Sequence, residues 1–144
     1  AAAADDAARA PTGASAGAEA LQDVRVLLVE DSEELAEVTV LLLQAYGCIV
    51  RRARNVDDAL AQVAVDDRLQ LVLTDVVMPG GRDGVDLACQ LRHSHPQLPV
   101  VLISGYSAAL TGLTGFTVLR KPVAAEHLVA TLVAALRGEA AATA

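Results

Sequence analysis

Five residues in this sequence carry carboxylate, hydroxyl or ammonium groups that could act together at one site, and each follows a short apolar run. They are Glu30, Asp31, Asp75, Ser104 and Lys121. Carboxylates that lie close together repel one another unless a cation sits among them. Hard oxygen ligands of this kind, with positions left for water, suit Mg²⁺. If the apolar runs are neighbouring strands of one sheet, these residues predict a magnesium site with a hydroxyl and an ammonium beside it.

Each of these residues also has a simpler structural explanation. Asp31 or Ser32 could cap a helix, because both side chains accept hydrogen bonds from free amides. Asp75 could form a turn, and Ser104 could be a small residue at the end of a strand. Lys121 could be an exposed lysine before a turn proline, although it is the only lysine among eleven basic residues. The combination of residues, rather than any one of them, favours a functional site.

The elements that must position these residues follow from the hydrophobic pattern. Short runs rich in valine, leucine and isoleucine predict five strands, and the first of them, a nearly continuous apolar run, is typical of a strand that is buried on both faces. They lie around residues 24–29, 48–52, 69–74, 100–103 and 116–119. Helical spacing follows most of these runs, and in the first predicted helix the buried face is Leu35, Val38, Leu42 and Ala45. The glycine-containing segment before the last strand predicts a shortened fourth helix. This alternation predicts an α/β fold with five parallel strands and helices on both faces.

Length and composition set the predicted domain organisation. The chain has 144 residues, of which 53% are hydrophobic and 20% are charged, and this favours one domain with a single core. Residues 1–23 are rich in alanine and small polar residues and are interpreted as a flexible leader or linker. The domain is predicted to extend over residues 24–138, and a disordered tail over residues 139–144.

Charge and composition disfavour several classes of partner. The net charge is −7, and two tyrosines and one phenylalanine are the only aromatic residues, so no direct nucleic-acid contact is expected. Arg51, Arg52 and Arg54 are accordingly interpreted as a solvated strand edge. Cys48 and Cys89 are interpreted as small core residues of a protein in a reducing compartment. Charged residues or histidine interrupt every apolar run, so we expect a cytoplasmic domain without membrane contact.

Four ordered motifs resemble those of the receiver domain of two-component signalling. They are Val29-Glu30-Asp31, Thr74-Asp75-Val76-Val77-Met78-Pro79-Gly80, Ser104-Gly105 and Lys121-Pro122. The resemblance implies a flavodoxin-like fold with strand order 2-1-3-4-5. It also implies a domain that accepts a phosphoryl group from a histidine kinase or a histidine phosphotransfer domain, and that is not a stand-alone enzyme.

The resemblance assigns a role to each site residue. Asp75 is implied to be the phosphoacceptor, with Lys121 and Ser104 contacting the phosphoryl group. The implied ligands of Mg²⁺, which Mn²⁺ could replace, are Glu30, Asp31, Asp75 and the backbone carbonyl of Val77. The Lys121–Pro122 peptide bond is implied to be cis.

The sequence departs from the family pattern at several positions. Val118 stands where the family usually has an aromatic switch residue, and the shortened fourth helix weakens the face through which receivers usually dimerise. The usual dimer is therefore not predicted. Val77 and Tyr106 occupy the two positions that govern the access of water to the phosphoryl group, and neither readily orients an attacking water. Slow self-dephosphorylation is expected.

The motifs also bear on the protein's origin and on rival functions. A long turn after Asp75, together with Ile103-Ser104-Gly105-Tyr106, is similar to receivers at the carboxyl end of hybrid sensor histidine kinases, with a free-standing receiver as the alternative.

A haloacid-dehalogenase-like phosphatase also uses an aspartate, Mg²⁺ and a lysine, but it needs a second aspartate where this chain has Val77. A flavodoxin-like cofactor site is disfavoured because acidic residues follow the first strand.

Overall fold

The structure, a computed structural model, describes residues 20–78, 83–105, 116–121 and 123–138. Its five strands are β1 (Arg25–Val29), β2 (Ile49–Ala53), β3 (Leu71–Asp75), β4 (Val100–Ser104) and β5 (Thr117–Arg120). The helices of the described residues are α1 (Glu33–Ala45), α2 (Val56–Val65), α3 (Gly84–Ser94) and α4 (Ala125–Leu136). These bounds differ from the predicted ones by one or two residues at most strand ends.

All neighbouring strands are parallel, and their order is β2-β1-β3-β4-β5. The predicted fold class and strand order are thus confirmed. The direction in which successive strands are added to the sheet reverses between β1 and β3, because β2 lies on one side of β1 and β3 lies on the other. Residues at the carboxyl ends of β1 and β3 therefore flank the crevice where such sheets bind ligands.

The core lies on both faces of the sheet. One face of β1 and β3 packs with α1 and α4, and the opposite face packs with α2 and α3. In α2, Val56, Ala59 and Val63 are buried and Leu60 is half-buried, so this helix packs one apolar face on the sheet. Leu128 and Leu132 of α4 are likewise buried, and the helices thereby hold the strand ends in fixed positions.

The predicted buried face of α1 is wrong at Leu35, Val38 and Ala45, which are exposed, whereas Leu42 is half-buried and packs against the core. Ala36 and Leu43 are the buried residues of this helix, whereas the side chains of Leu35 and Val38 are 49% and 66% exposed. Leu41 is also exposed, at 67%. The reason is that α1 carries apolar residues on more than one side, so helical spacing alone could not decide which side packs on the sheet. Its outer face is left with an exposed apolar stripe, which we define as Leu35, Val38 and Leu41.

The amino-terminal packing and the cysteines also differ from expectation. Leu21 is fully buried in the core, and the Asp23 amide donates to the Gly47 carbonyl at 2.8 Å, so packing begins a few residues before Val24. Cys48 is buried as predicted, and this burial raises the pKa of its thiol to about 11. The prediction for Cys89 is wrong, because this residue lies on an exposed position of α3.

Several predictions concern residues outside those that the structure describes. They are the part of the predicted leader that covers residues 1–19, the tail over 139–144, the shortened fourth helix with its dimer face, the role of Tyr106 and the cis bond at Pro122. Among the helices that are described, none combines the length and the apolar character needed to cross a membrane.

Candidate functional site

Three carboxylates meet at the carboxyl edge of the sheet. Glu30 and Asp31 lie in the loop after β1, and Asp75 is the last residue of β3. One carboxylate oxygen from each lies within 4.8 Å of the others. Glu30 is buried, the Asp75 side chain is only 11% exposed, and Asp31 is open to solvent. The structure therefore brings together the three acidic residues that the sequence singled out.

The loop between β1 and α1 is organised by Ser32. The Ser32 hydroxyl is the N-cap of α1 and accepts a hydrogen bond from the Leu35 amide at 3.3 Å. The Ser32 amide in turn donates to Oε2 of Glu30 at 3.1 Å. Of the two capping candidates, Ser32 therefore fills the role, and Asp31 is not required for it. This leaves the Asp31 carboxylate available to the acidic cluster.

Lys121 reaches the same cluster from the far side of β4. Its Nζ lies 3.3 Å from Oδ2 of Asp75, and its side chain is 37% exposed. The Lys121 amide donates to the Ser104 carbonyl at 2.9 Å, which ties the end of β5 to the end of β4. A Cβ at Gly105 would lie 3.8 Å from the Lys121 side chain, which is an ordinary contact. The ammonium is thus held beside Asp75 by the two strand ends.

Ser104 and Val77 complete the predicted set. Ser104 is the last residue of β4, the strand between β3 and β5, and its side chain is buried. Val77 lies two residues after Asp75, with a side chain that is 52% exposed. Both residues therefore belong to the segments that border the acidic cluster.

The site carries more negative than positive charge. Burial raises the pKa of Glu30 above the ordinary value of 4.5, and the charges of Asp75 and Asp31 raise it further. The Ser32 amide and the Lys121 ammonium act in the opposite direction but do not outweigh these effects. Three carboxylates with one ammonium form a set of hard oxygen donors whose mutual repulsion a divalent cation would offset. The residues present therefore fit Mg²⁺.

Gly84 is a residue of the site that the sequence analysis did not single out. A Cβ at this position would lie 2.1 Å from the Asp75 carbonyl oxygen, and the Gly84 amide donates to the Val76 carbonyl at 2.7 Å. Only a residue without a side chain lets the start of α3 approach the backbone of Asp75 this closely. The signal in the sequence was Gly84 itself. Glycine is unfavourable inside a helix, yet it directly follows Asp83, the residue that caps α3.

Arg52 is a second residue whose place was not foreseen. It was interpreted as part of a solvated strand edge, yet its side chain is only 19% exposed. Its Nη2 and Nε donate to the Glu30 carbonyl at 2.8 and 3.2 Å, and its Nη1 pairs with Glu33. This pairing lowers the pKa of Glu33 below its ordinary value. The interpretation of Arg52 is therefore wrong, because the guanidinium folds over the end of β1 and does not extend into solvent.

With this geometry in place, similarity to known proteins is informative. Residues 26–133 match the family model described as the response regulator receiver domain. The chain is 35% identical over 118 residues to the transcriptional regulatory protein CpxR of Klebsiella pneumoniae, an alignment that covers 78% of this chain and 49% of CpxR. It is 32% identical over 110 residues to the nitrogen assimilation regulatory protein NtrX of Azorhizobium caulinodans, covering 72% of this chain and 24% of NtrX. The chain therefore spans half or less of the length of these relatives.

A solved structure supports the same assignment. The response regulator protein TrrA of Thermotoga maritima, crystallised in complex with Mg²⁺ and BeF, superposes with a TM-score of 0.67 at 25% identity. This superposition covers 73% of the present chain and 92% of TrrA. The match to the family model spans most of the chain and includes every acidic residue of the cluster and Lys121. This chain belongs to the response regulator receiver domains, the phospho-accepting signalling domains of two-component systems.

Proposed function

We propose that Asp75 is the residue that accepts the phosphoryl group. The observation that carries this proposal is the position of Asp75, which is in contact with the chain's single lysine and also belongs to the cluster of three carboxylates. Asp75 ends a central strand, and Gly84 packs against its backbone, so the carboxylate is held by rigid elements. A rigidly held nucleophile beside a fixed positive charge is what phosphoryl transfer requires, because positioning and charge stabilisation supply most of its catalysis.

In the proposed reaction, a carboxylate oxygen of Asp75 attacks the phosphorus of a phosphohistidine. The bond between phosphorus and the histidine nitrogen breaks, the nitrogen keeps the electron pair, and an acyl phosphate forms on Asp75. Lys121 exchanges its contact with Asp75 for a phosphoryl oxygen and stabilises the charge there. Ser104 then turns its hydroxyl towards another phosphoryl oxygen, a movement that links phosphorylation to the β4 end.

We further propose that Glu30, Asp31, Asp75 and the Val77 carbonyl hold Mg²⁺, with Mn²⁺ as a substitute. The support is the donor set itself, together with the pKa of Glu30, which is raised first by burial and further by the charges of Asp75 and Asp31. The Mg²⁺ described in the TrrA complex is consistent with this proposal. When bound, the ion neutralises phosphoryl oxygens and lowers the repulsion between the phosphate and the carboxylates.

The proposed partner is a histidine kinase or a histidine phosphotransfer domain that docks beside α1. The exposed apolar stripe of α1 begins three residues after Ser32, so it starts at the edge that carries the acidic cluster. A helical partner that buries this stripe would present its phosphohistidine to Asp75. The absence of direct nucleic-acid contact by this domain, its cytoplasmic location and its origin in a hybrid kinase stay predictions.

Phosphorylation by a small acyl phosphate donor in the presence of Mg²⁺ tests the proposal. We expect intact-mass measurement to show one added phosphoryl group on the parent and none on Asp75→Asn. Asp67→Asn, which removes an exposed carboxylate from the opposite end of the sheet, serves as the control and should gain the group. A phosphoryl group on Asp75→Asn would place the acceptor elsewhere.

A further inference from the structure

The Arg52 guanidinium joins three parts of the fold at the rim of the acidic cluster. It extends from the second-last residue of the edge strand β2, donates twice to the Glu30 carbonyl and pairs with Glu33, the first residue of α1. Glu33 also forms an ion pair with Arg54, whose Nη2 lies 3.0 Å from Oε2 of Glu33. We call these three residues the arginine clamp: Arg52, Arg54 and Glu33.

The clamp holds the peptide unit from which the two acidic side chains of the loop depart. The carbonyl oxygen of Glu30 belongs to the planar peptide group that joins Glu30 to Asp31. Two hydrogen bonds to this oxygen, together with the 3.0 Å bond from the Glu30 amide to the Ala53 carbonyl, restrict the rotation of that plane. A fixed plane also fixes the directions in which the Glu30 and Asp31 side chains leave the backbone.

We propose that Arg52 is a positioning residue for the divalent-cation site, holding the Glu30–Asp31 peptide so that both carboxylates point at Asp75. This inference rests on the proposed function, because it assumes that these carboxylates bind the ion. In this role Arg52 acts through its hydrogen bonds to the Glu30 carbonyl and not as a ligand of the ion. Residues that orient metal ligands through hydrogen bonds contribute strongly to the affinity of proteins for metal ions.

The geometry needs an arginine. The planar guanidinium presents Nε and Nη2 to one carbonyl oxygen and Nη1 to the Glu33 carboxylate at the same time. A lysine keeps the charge but has a single ammonium, which cannot reproduce this planar arrangement of donors. Arg52→Lys therefore separates the effect of positive charge from the effect of positioning.

The test is the affinity for Mg²⁺, measured by titration calorimetry on the whole chain. We expect Arg52→Lys to weaken Mg²⁺ binding roughly tenfold. Arg51→Lys is the matched control, because Arg51 lies on the same strand, is half exposed and contacts Gln62 and Asp66 instead of the acidic loop. This control should bind Mg²⁺ as the parent does.

Phosphorylation by the small donor supplies a second readout. With Arg52→Lys, the Mg²⁺ concentration that gives half of the maximal rate should rise by the same factor, while the rate at saturating Mg²⁺ stays near that of the parent. Thermal unfolding in EDTA checks that the variant is folded. A purely structural role would instead lower the unfolding temperature and leave the Mg²⁺ affinity of the folded protein unchanged.

A second pair of variants keeps the inference testable if Arg52→Lys does not fold. Glu33→Gln removes one end of the clamp at an exposed residue, and Glu34→Gln removes the same charge at the next position, outside the clamp. We expect a weaker Mg²⁺ affinity for Glu33→Gln than for Glu34→Gln. Equal affinities for these two variants, or parental affinity for a folded Arg52→Lys, would overturn the inference. If the parent itself does not bind Mg²⁺, the proposed function fails first.

Discussion

Replacement of Glu30 by glutamine should stabilise the metal-free protein at neutral pH. Glu30 is buried, lies close to two other carboxylates and has a raised pKa, so its charged form is unfavourable in the folded state. Glutamine has nearly the same shape, and its side-chain oxygen can still accept the hydrogen bond from the Ser32 amide. The substitution therefore removes a charge with little change in packing.

The size of the effect follows from the charges in the site. Two unit charges 4.8 Å apart repel by about 0.9 kcal/mol in water and by about 3.5 kcal/mol at an effective dielectric constant of about 20. Glu30 is repelled by Asp31 and Asp75 and attracted by Lys121, so the net is about one repulsion. Because Asp31 and Lys121 are accessible to solvent, we expect a gain of about 1–2 kcal/mol, or roughly 3–6 °C in unfolding temperature.

The gain should depend on pH in a defined direction. A carboxyl group whose pKa is raised by folding favours the folded state at low pH, and this contribution is lost as the pH rises through the raised pKa. Well below pH 4.5, Glu30 is protonated in both the folded and the unfolded state, so parent and Glu30→Gln should have similar stability there. The difference should then grow towards pH 7, as measured by urea unfolding in EDTA.

Mg²⁺ should reverse the order of stability. At a concentration one hundred times its dissociation constant, a ligand that binds only the folded state stabilises the parent by about 2.7 kcal/mol. Glu30→Gln has one fewer charged ligand and should gain much less. A variant that is less stable than the parent in EDTA at pH 7, or a difference that does not change with pH, would refute the reasoning.

Three further predictions concern other parts of the site. Gly84→Ala should destabilise the protein by about 2–3 kcal/mol in urea unfolding and slow phosphorylation of Asp75, because the added methyl group must displace the backbone of Asp75. An unchanged midpoint of urea unfolding would contradict the close approach of Gly84 to Asp75. Val38→Asp should slow transfer from a phosphohistidine partner about tenfold or more without changing the rate from the small donor, whereas Val65→Asp, at an exposed residue of α2, should change neither. Val77→Asn should shorten the lifetime of the phosphorylated form, followed by intact mass, and equal decay rates would exclude a role for Val77.

Much of the fold could be predicted because its signals are local. Each central strand appears as a short apolar run rich in valine and leucine, and in a parallel sheet the carboxyl ends of such strands must lie at one edge. The prediction that Glu30, Asp31 and Asp75 meet required only this rule and the order of the strands. Likewise, Asn55 and Asp83 cap α2 and α3 through hydrogen bonds within a few residues, which local sequence can specify.

What the sequence by itself determined is therefore the alternation of strands and helices, and with it the edge at which the acidic residues and Lys121 collect. The tertiary structure decided which side of α1 is buried, how closely Gly84 approaches Asp75, and that Arg52 binds a carbonyl 22 positions earlier in the chain. These features depend on contacts between segments that are distant in sequence. Such contacts depend on which of several similar apolar faces, and which of several polar groups, fits best in the close-packed interior. A local pattern of residues does not contain this information.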